Sequence, residues 1–360
     1  GHPPNKNQPC RYFTDVPGKD KYDLPGEIKA LHYHFKDCYE QQLGTRLGEH
    51  FTHQLLADIA GIPYTMTCGF PNEGKKRTVF EHRNFTAQSV LKQLEVQRHV
   101  GKVDPLIKDW TVQDLCKKCN ALSWWCPVGP QYINTREQMW KVVDPNVQPS
   151  DAVIHLRLGD ALSGTKDRGV GLLPFRSYVR LLKQAANVKQ TEIKSIGIVT
   201  QSFDRKYTRV HDSNMVEKSR LVMAHFAEFL KKEFPGVTVN IYNEGIHTPL
   251  DAYSRIMKAR VAAICGASTF CTYPTLGNKD GIGYLFASEK YAPWTVSAVS
   301  QYNNMKSFTA PRLANNYIEQ LTNEQLVHWL KEQSADSDEI ISEPPLIRAP
   351  KTATSLEAKV

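Results

Sequence analysis

An apolar run that ends in polar residues is the first place where the spacing of this chain suggests chemistry. Residues 153–160 are Val-Ile-His-Leu-Arg-Leu-Gly-Asp, so His155, Arg157 and Asp160 come at the end of a predicted strand and Gly159 permits a turn. Ligands of open α/β sheets bind at the carboxyl ends of strands, and a guanidinium matches two phosphate oxygens. We therefore expect Arg157 to bind a nucleotide diphosphate; the alternative is a surface ion pair between Arg157 and Asp160.

A second apolar run ends in a similar way. Residues 259–266 predict a buried strand, and Ser268, Thr269 and Phe270 follow at the expected start of a helix. A helix N-terminus offers free N–H groups and partial positive charge, so Ser or Thr there can cap the helix or bind a phosphate. We expect both segments to contact one diphosphate, with plain capping as the alternative for Ser268 and Thr269.

Strand and helix patterns alternate around these two segments. The sequence predicts strands at 153–158, 195–200, 237–242 and, as the last one, 259–266, with helices at 174–186, 215–234, 250–258 and 316–333. This order is typical of a parallel sheet with right-handed crossovers. Two prolines within residues 144–149 indicate a linker before it.

Three motifs in order resemble the fucosyltransferase superfamily, which includes the α1,2-, α1,6- and protein-O-fucosyltransferases. Residues 155–160 fit its His-x-Arg-x-Gly-Asp motif, residues 268–270 (Ser-Thr-Phe) follow, and residues 43–51 (Leu-Gly-Thr-Arg-Leu-Gly-Glu-His-Phe) are similar to its Gly-rich turn and first helix. The resemblance implies an α/β fold of the GT-B type, with two Rossmann-like domains facing across a cleft. Residues 1–149 would form the acceptor-side domain, 150–333 the nucleotide-sugar domain and 334–360 a flexible tail.

The same resemblance implies an inverting glycosyltransferase. It would move a sugar, fucose first and xylose or another sugar as the alternative, from a donor such as GDP-fucose to a glycan or protein hydroxyl, with no cofactor and no metal. The implied donor contacts are His155, Arg157, Asp160, Asp251, Ser268, Thr269 and Phe270. The Gly-rich turn would face them from the other domain, with Gly44, Arg46, Gly48 and His50. Asp251 has helix capping as its alternative, and Asp160 could orient Arg157 or simply end the strand.

Glu49 is where the chain departs from this resemblance, because several relatives carry an amide residue after the second glycine. We interpret Glu49 as the general base that takes the acceptor proton. A first-turn glutamate also favours the helix dipole, which is the alternative. His50 is either a base or a core histidine. A carbohydrate-binding protein without catalysis, built on the same fold, is the alternative for the whole chain.

The composition limits the number of domains and the kinds of partner that we expect for this chain. The chain has 360 residues, 41% of them hydrophobic, which suits two domains, and a formal net charge of +8 with a pI near 8.9. Its lysines and arginines alternate with acids instead of clustering, so we do not expect a nucleic-acid partner. No apolar run approaches the roughly 20 residues of a membrane span. By the resemblance, we expect a Golgi or other secretory lumen, with an N-terminal membrane anchor absent from this chain.

The eight cysteines are compatible with an oxidising lumen. Cys116 and Cys119 with Cys126 resemble half a zinc site, but no second ligand pair follows at suitable spacing. We therefore predict disulfides within the set Cys10, Cys38, Cys68, Cys116, Cys119 and Cys126. Cys265 and Cys271, which flank the second motif, are predicted to be buried small hydrophobes.

Overall fold

In the described part of the chain, a parallel three-stranded sheet and a seven-stranded sheet with one antiparallel edge strand form the framework. A computed structural model describes residues 135–167, 169–201, 213–243, 248–287, 302–333 and 340–341, and among the rest 31–35, 43–44, 47–48, 50–51, 54, 64–68, 90, 94, 97–98 and 299. The first sheet contains β1 (Leu31–Phe35), β2 (Tyr64–Cys68) and β3 (Gln97–Arg98), in that order and all parallel. Parallel neighbours need a crossover, and the helical residues between 43 and 54 lie in the one that joins β1 to β2.

The second sheet carries the motifs of the sequence analysis. Its strands are β4 (Ala152–His155), β6 (Ser195–Val199), β7 (Thr238–Tyr242), β8 (Ala262–Cys265), β9 (Ile282–Phe286), β10 (Met305–Phe308) and β12 (Ile340–Ile341). Their spatial order is β12-β10-β9-β8-β4-β6-β7. All neighbours are parallel except β12, which pairs antiparallel with β10.

The six parallel strands follow the Rossmann order. Counted from β4 as the first, their arrangement across the sheet is 3-2-1-4-5-6, because β6 and β7 lie on one side of β4 and β8, β9 and β10 on the other. Every residue of β4 and β8 is buried, as expected for strands covered on both faces. The expectation of a Rossmann-like α/β half with a parallel sheet is confirmed.

Helices cover both faces of this sheet. Ile154, Ile198 and Ile264 face one layer, formed by α2 (Phe175–Lys189), α3 (Ser213–Glu233) and α7 (Asn323–Glu332). Val153, Val199 and Ala263 face the other, formed by α1 (Thr135–Trp140), α4 (Pro249–Met257) and α5 (Thr272–Gly277), together with Leu43, Leu47 and Phe51. The alternation of these side chains along each strand explains why both layers are apolar.

Smaller elements connect these layers. A 3-10 turn (Gly159–Leu162) follows β4, and β5 (Gly171–Leu172) pairs antiparallel with β11 (Leu313–Ala314). The predicted helix at 316–333 is wrong as a single element. It is divided into α6 (Asn315–Ile318) and α7, because Thr322 and Gln325 form a capping box that starts a new helix.

The prediction that residues 259–266 form the last strand is also wrong, since β9, β10 and β12 follow β8. β12 lies within residues 334–360, the predicted flexible tail, so Ile340 and Ile341 are attached to the sheet through Phe308 and Ser307. The remaining residues of that tail lie outside the described part of the chain, as do residues 1–30.

The predicted linker at 144–149 contains neither helix nor strand. It is nevertheless anchored to α4, because the Asp144 N–H donates to Ser254 Oγ (2.8 Å) and Lys258 Nζ donates to the Pro145 carbonyl (3.1 Å). Before it, α1 packs on α5, and Trp140 Nε1 donates to the Gly277 carbonyl (2.7 Å). Residues before the predicted boundary at 149 therefore contact the helices that cover the second sheet.

Among the described residues, no helix is long and apolar enough to cross a membrane.

Candidate functional site

The two predicted motif segments meet at the point where the strand order of the second sheet reverses. β4 and β8 are direct neighbours, with His155 opposite Cys265 at their carboxyl ends. From β4 the chain continues toward β6 on one side, and from β8 toward β9 on the other. Such a switch point leaves a crevice between the two outgoing loops, where ligands of open α/β sheets bind. Both loops contain residues that the sequence predicted for donor contacts.

The loop after β4 holds Arg157 in an ion pair. Nε and Nη2 of Arg157 donate to the two carboxylate oxygens of Asp160 (3.1 and 2.7 Å), and both side chains are about one quarter exposed (27% and 25%). Gly159 between them has a left-handed φ of 64°, and its N–H donates to Ser219 Oγ (3.2 Å). A residue with a side chain would be strained there. The sharp turn at Gly159 thus returns Asp160 to Arg157, so the ion-pair alternative of the sequence analysis is formed.

His155, the last residue of β4, is buried two residues before Arg157. Its ring stacks on Phe270, with ring centroids 5.2 Å apart, and Phe270 meets Tyr253 edge-on (4.9 Å). Burial, with the nearby Arg157 charge, lowers the pKa of His155 to about 3, so the imidazole is neutral at pH 7. Its Nδ1 is buried and has no hydrogen-bond partner among the described residues. His155, which was predicted to contact the nucleotide, therefore packs directly on Phe270, which was predicted to contact the phosphate.

The loop after β8 differs from its predicted form. The helix α5 begins at Thr272, with Cys271 at the N-cap position, so the predicted helix start at Ser268 and Thr269 is wrong. The Ser268 hydroxyl instead accepts from the Phe270 N–H (3.3 Å), and the Ser268 N–H donates to the Gly266 carbonyl (2.7 Å). A short-range turn competes here with helix formation, as is common for serine. Ser268, Thr269 and Phe270 are partly exposed on this turn.

A disulfide joins the two ends of this loop. Cys265 is the last residue of β8, Cys271 precedes α5, and their sulfurs are bonded. Both residues are buried as predicted, but the prediction that they remain separate hydrophobes is wrong. Of the six cysteines predicted to form disulfides, Cys68 is in β2 and the other five lie outside the described residues. The expectation of a disulfide in the chain is confirmed at a different pair.

The Gly-rich turn contacts the loop after β8. A Cβ added at Gly44 would lie 2.1 Å from the Thr269 carbonyl oxygen, so only glycine permits this approach. Leu43, Leu47 and Phe51 are buried on the same side, and Phe51 packs on Tyr273 with centroids 5.2 Å apart. Gly48 is helical. Arg46 and Glu49, the predicted general base, lie outside the described residues.

His50 and Asp251 take the alternatives that the sequence analysis left open. His50 is 4% exposed and its Nδ1 shares a hydrogen bond with Tyr64 Oη (2.8 Å), which makes it a core histidine; burial raises the pKa of Tyr64. Asp251 accepts from the N–H and hydroxyl of Thr248 (3.0 and 3.2 Å), and Thr248 Oγ1 accepts from its N–H. This is a capping box at the start of α4.

Three residues near the switch point were not assigned to the site from the sequence. Tyr253 packs on Phe270, and the Tyr178 hydroxyl lies 2.9 Å from the position of a Cβ at Gly266. Thr200 follows β6, and its buried hydroxyl has no partner among the described residues. The helical spacing of Tyr178 indicated only a core position. The signal that could have found its contact is Gly266, placed directly after a buried strand, where glycine often marks a close approach.

No family model matches this chain, no curated protein matches its sequence, and no solved structure matches its fold. Within the part of the chain that the structure describes, no group of three or more His, Cys, Asp or Glu side chains could hold a metal ion.

Proposed function

We propose that this chain is an inverting glycosyltransferase that moves a sugar from a nucleotide-diphosphate donor to a hydroxyl of a glycan or protein. Fucose from GDP-fucose is the first choice, and xylose or another sugar is the alternative. The observation that carries the proposal is the meeting of the Arg157 loop and the Ser268–Phe270 loop at the carboxyl ends of β4 and β8. This is where a Rossmann sheet binds a nucleotide, and both loops belong to the motifs that resemble the fucosyltransferase superfamily.

Arg157 would stabilise the departing diphosphate. Its ion pair with Asp160 uses Nε and Nη2, so Nη1 is the nitrogen that the pair does not use. Asp160 orients the guanidinium, and Gly159 sets that geometry through its left-handed backbone. A fixed, partly exposed positive charge suits the negative charge that develops on a leaving phosphate. Ser268 and Thr269 would supply hydroxyl contacts from the facing loop.

His155 would contact a neutral part of the donor. Its pKa of about 3 keeps the ring uncharged at pH 7, so it offers hydrogen bonding without charge. In the transfer step, the acceptor oxygen bonds to the anomeric carbon on the face opposite to the departing diphosphate, which inverts that centre. The acceptor proton passes to a general base, for which Glu49 is our candidate. A base in this role contributes typically 10²–10⁴-fold to the rate.

The Arg157–Asp160 pair also supports a second candidate. An arginine already neutralised by a carboxylate suits a carbohydrate-binding protein with no catalysis. The two candidates differ in nucleotide binding, since a binding protein for glycans needs no donor site.

A panel of nucleotide sugars tests the proposal. The chain is mixed with GDP-fucose, UDP-xylose or NAD, and binding is followed by calorimetry and transfer to glycan acceptors by mass spectrometry. We expect one sugar nucleotide to bind and turn over. Turnover should persist in EDTA, because the positive charge of Arg157 replaces a metal ion in neutralising the diphosphate. Binding of glycan alone favours the second candidate, and a preference for NAD contradicts both. The proposed setting is a secretory lumen.

A further inference from the structure

The disulfide between Cys265 and Cys271 encloses the five residues that we call the bridged loop, Gly266–Phe270. Its two ends belong to elements that are already fixed. β8 lies inside the sheet between β4 and β9, and α5 packs on α1 and α4. Cross-linking across so short a separation also constrains the unfolded chain less than a long loop would. The main structural effect of the bridge is therefore on the path of the loop itself.

Non-covalent contacts hold the same loop from both sides. His155 stacks on Phe270 from the β4 side, and the backbone of Gly44 closes on Thr269 from the Gly-rich turn. Within the loop, Ser268 accepts from the Phe270 N–H through its hydroxyl and from the Thr272 hydroxyl through its carbonyl (3.4 Å). With both ends tied, these contacts leave one partly exposed edge, Ser268 to Phe270, at the switch point.

We propose that the Cys265–Cys271 disulfide is a positioning device that holds the bridged loop in its donor-binding shape before the donor arrives. The inference rests on the proposed function, since the donor is a nucleoside diphosphate. A loop that is ordered in advance does not lose conformational freedom on binding, so affinity rises without a new contact. Cys265 and Cys271 are 2% and 0% exposed, which shields the sulfurs from thiols in the folded protein. The bridge is permanent, not a redox switch.

The double variant Cys265→Ala/Cys271→Ala tests this role, because it removes the bridge and leaves no unpaired thiol at either position. The matched control is Ile264→Val, which loses buried volume in the same strand. The side chain of Ile264 faces the helix layer on the other side of the sheet from Cys265. GDP is the probe for calorimetry. We expect the double variant to bind GDP about tenfold more weakly, with donor KM raised and kcat at saturation nearly unchanged. The control should lower Tm and leave GDP affinity within twofold.

Hydrogen exchange gives a second readout. The amides of Ser268, Thr269 and Phe270 should exchange faster in the double variant and regain protection when GDP is added. Wild-type GDP affinity in the folded double variant overturns the positioning role. If that variant fails to fold, Cys265→Val/Cys271→Ala replaces it, and failure of both overturns the role in favour of a purely structural bridge. If the unaltered chain binds neither GDP nor UDP, that result would instead refute the proposed function; if it binds UDP only, UDP replaces GDP as the probe.

Discussion

At the scale of single residues, Arg157 and Arg260 form a natural pair for comparison. Each makes an ion pair with an aspartate beside β4. The pair of Arg157 and Asp160 lies at the carboxyl edge of the sheet. The pair of Arg260 and Asp151, with Nη2 and Oδ1 2.8 Å apart, lies at the amino edge. Only the carboxyl edge contains the proposed donor site. The same chemistry therefore serves two different purposes at the two ends of one strand.

We expect Arg157→Ala to weaken GDP binding by about 10- to 100-fold and nearly abolish transfer, because a charge-assisted bond to phosphate is lost. Tm should change little, since a partly exposed pair contributes on the order of 1 kcal/mol or less. Arg260→Ala, the matched control, should leave GDP affinity unchanged. Calorimetry and thermal melts on both variants decide the matter. Activity within a few-fold of the unaltered chain would remove Arg157 from the site.

His155 makes stability depend on pH. Its folded pKa of about 3 lies below the ordinary value of 6.5, so the unfolded chain binds a proton that the folded chain does not. The free energy of unfolding is therefore unaffected by the titration of His155 above pH 6.5, and it decreases as the pH falls from 6.5 toward 3. At pH 5 the loss is about 2 kcal/mol relative to pH 8.

His155→Phe should flatten that part of the pH profile, because phenylalanine keeps the stack on Phe270 and carries no titratable group. Urea unfolding between pH 8 and pH 4 measures the difference. GDP affinity should fall in the same variant, since the ring nitrogens are gone. An identical pH slope in both proteins would contradict the assignment of this proton to His155.

Glu49→Gln separates the two interpretations of Glu49. The amide keeps size and hydrogen bonding but accepts no proton, so kcat should fall by about 10²-fold or more with little change in donor affinity. A residue that only complements the helix dipole would instead cost a few tenths to about 1 kcal/mol of stability. Steady-state kinetics and a thermal melt on one variant distinguish these results. Unchanged kcat would direct the search for the base to the acceptor itself.

At the scale of elements, the Gly-rich turn and the bridged loop behave as one packed unit. Gly44→Ala places a Cβ against the backbone of Thr269, where neither partner is a flexible side chain. We expect this substitution to displace the loop, lower stability by about 1–3 kcal/mol and weaken GDP binding.

Gly236→Ala is the control for that experiment. It meets no atom within 4 Å but has a φ of 80°, so it strains the backbone far from the bridged loop. It should lower Tm and leave GDP affinity unchanged. Equal GDP affinities for the two alanine variants would show that Gly44 has only a structural role.

Element prediction succeeded where apolar periodicity was strong and failed where two patterns joined. The helix predicted at 174–186 is α2, with Pro174 directly before it, and the strand predicted at 195–200 is β6. Residues 316–333 have one helical period but contain a second start signal at Thr322, which divides them. β9 was missed although Gly281 precedes a run of apolar residues, because so short a run predicts strand and buried helix equally well.

At the scale of the whole molecule, the sequence predicted which segments meet but not how they are shaped. The meeting of the loops after β4 and β8 follows from strand order, which alternating patterns can predict. The disulfide between Cys265 and Cys271 could not be inferred, because pairing depends on distance between cysteines in three dimensions. Asp251 and His50 were ambiguous for a similar reason, since a capping carboxylate and a core histidine look like site residues until their partners are known.

The antiparallel strand β12 has a consequence for solubility. Ile340 and Ile341 cover the outer edge of β10, whose Ser307 and Phe308 are fully buried. Without that cover, unsatisfied N–H and C=O groups of β10 become a template for a strand from another molecule. A chain ending at Gln333 should therefore self-associate with rising concentration in light scattering, whereas a chain ending at Glu343, which retains β12, should not. If both remain monodisperse, β10 is protected by something other than β12, and the end of this chain is not what keeps its molecules apart.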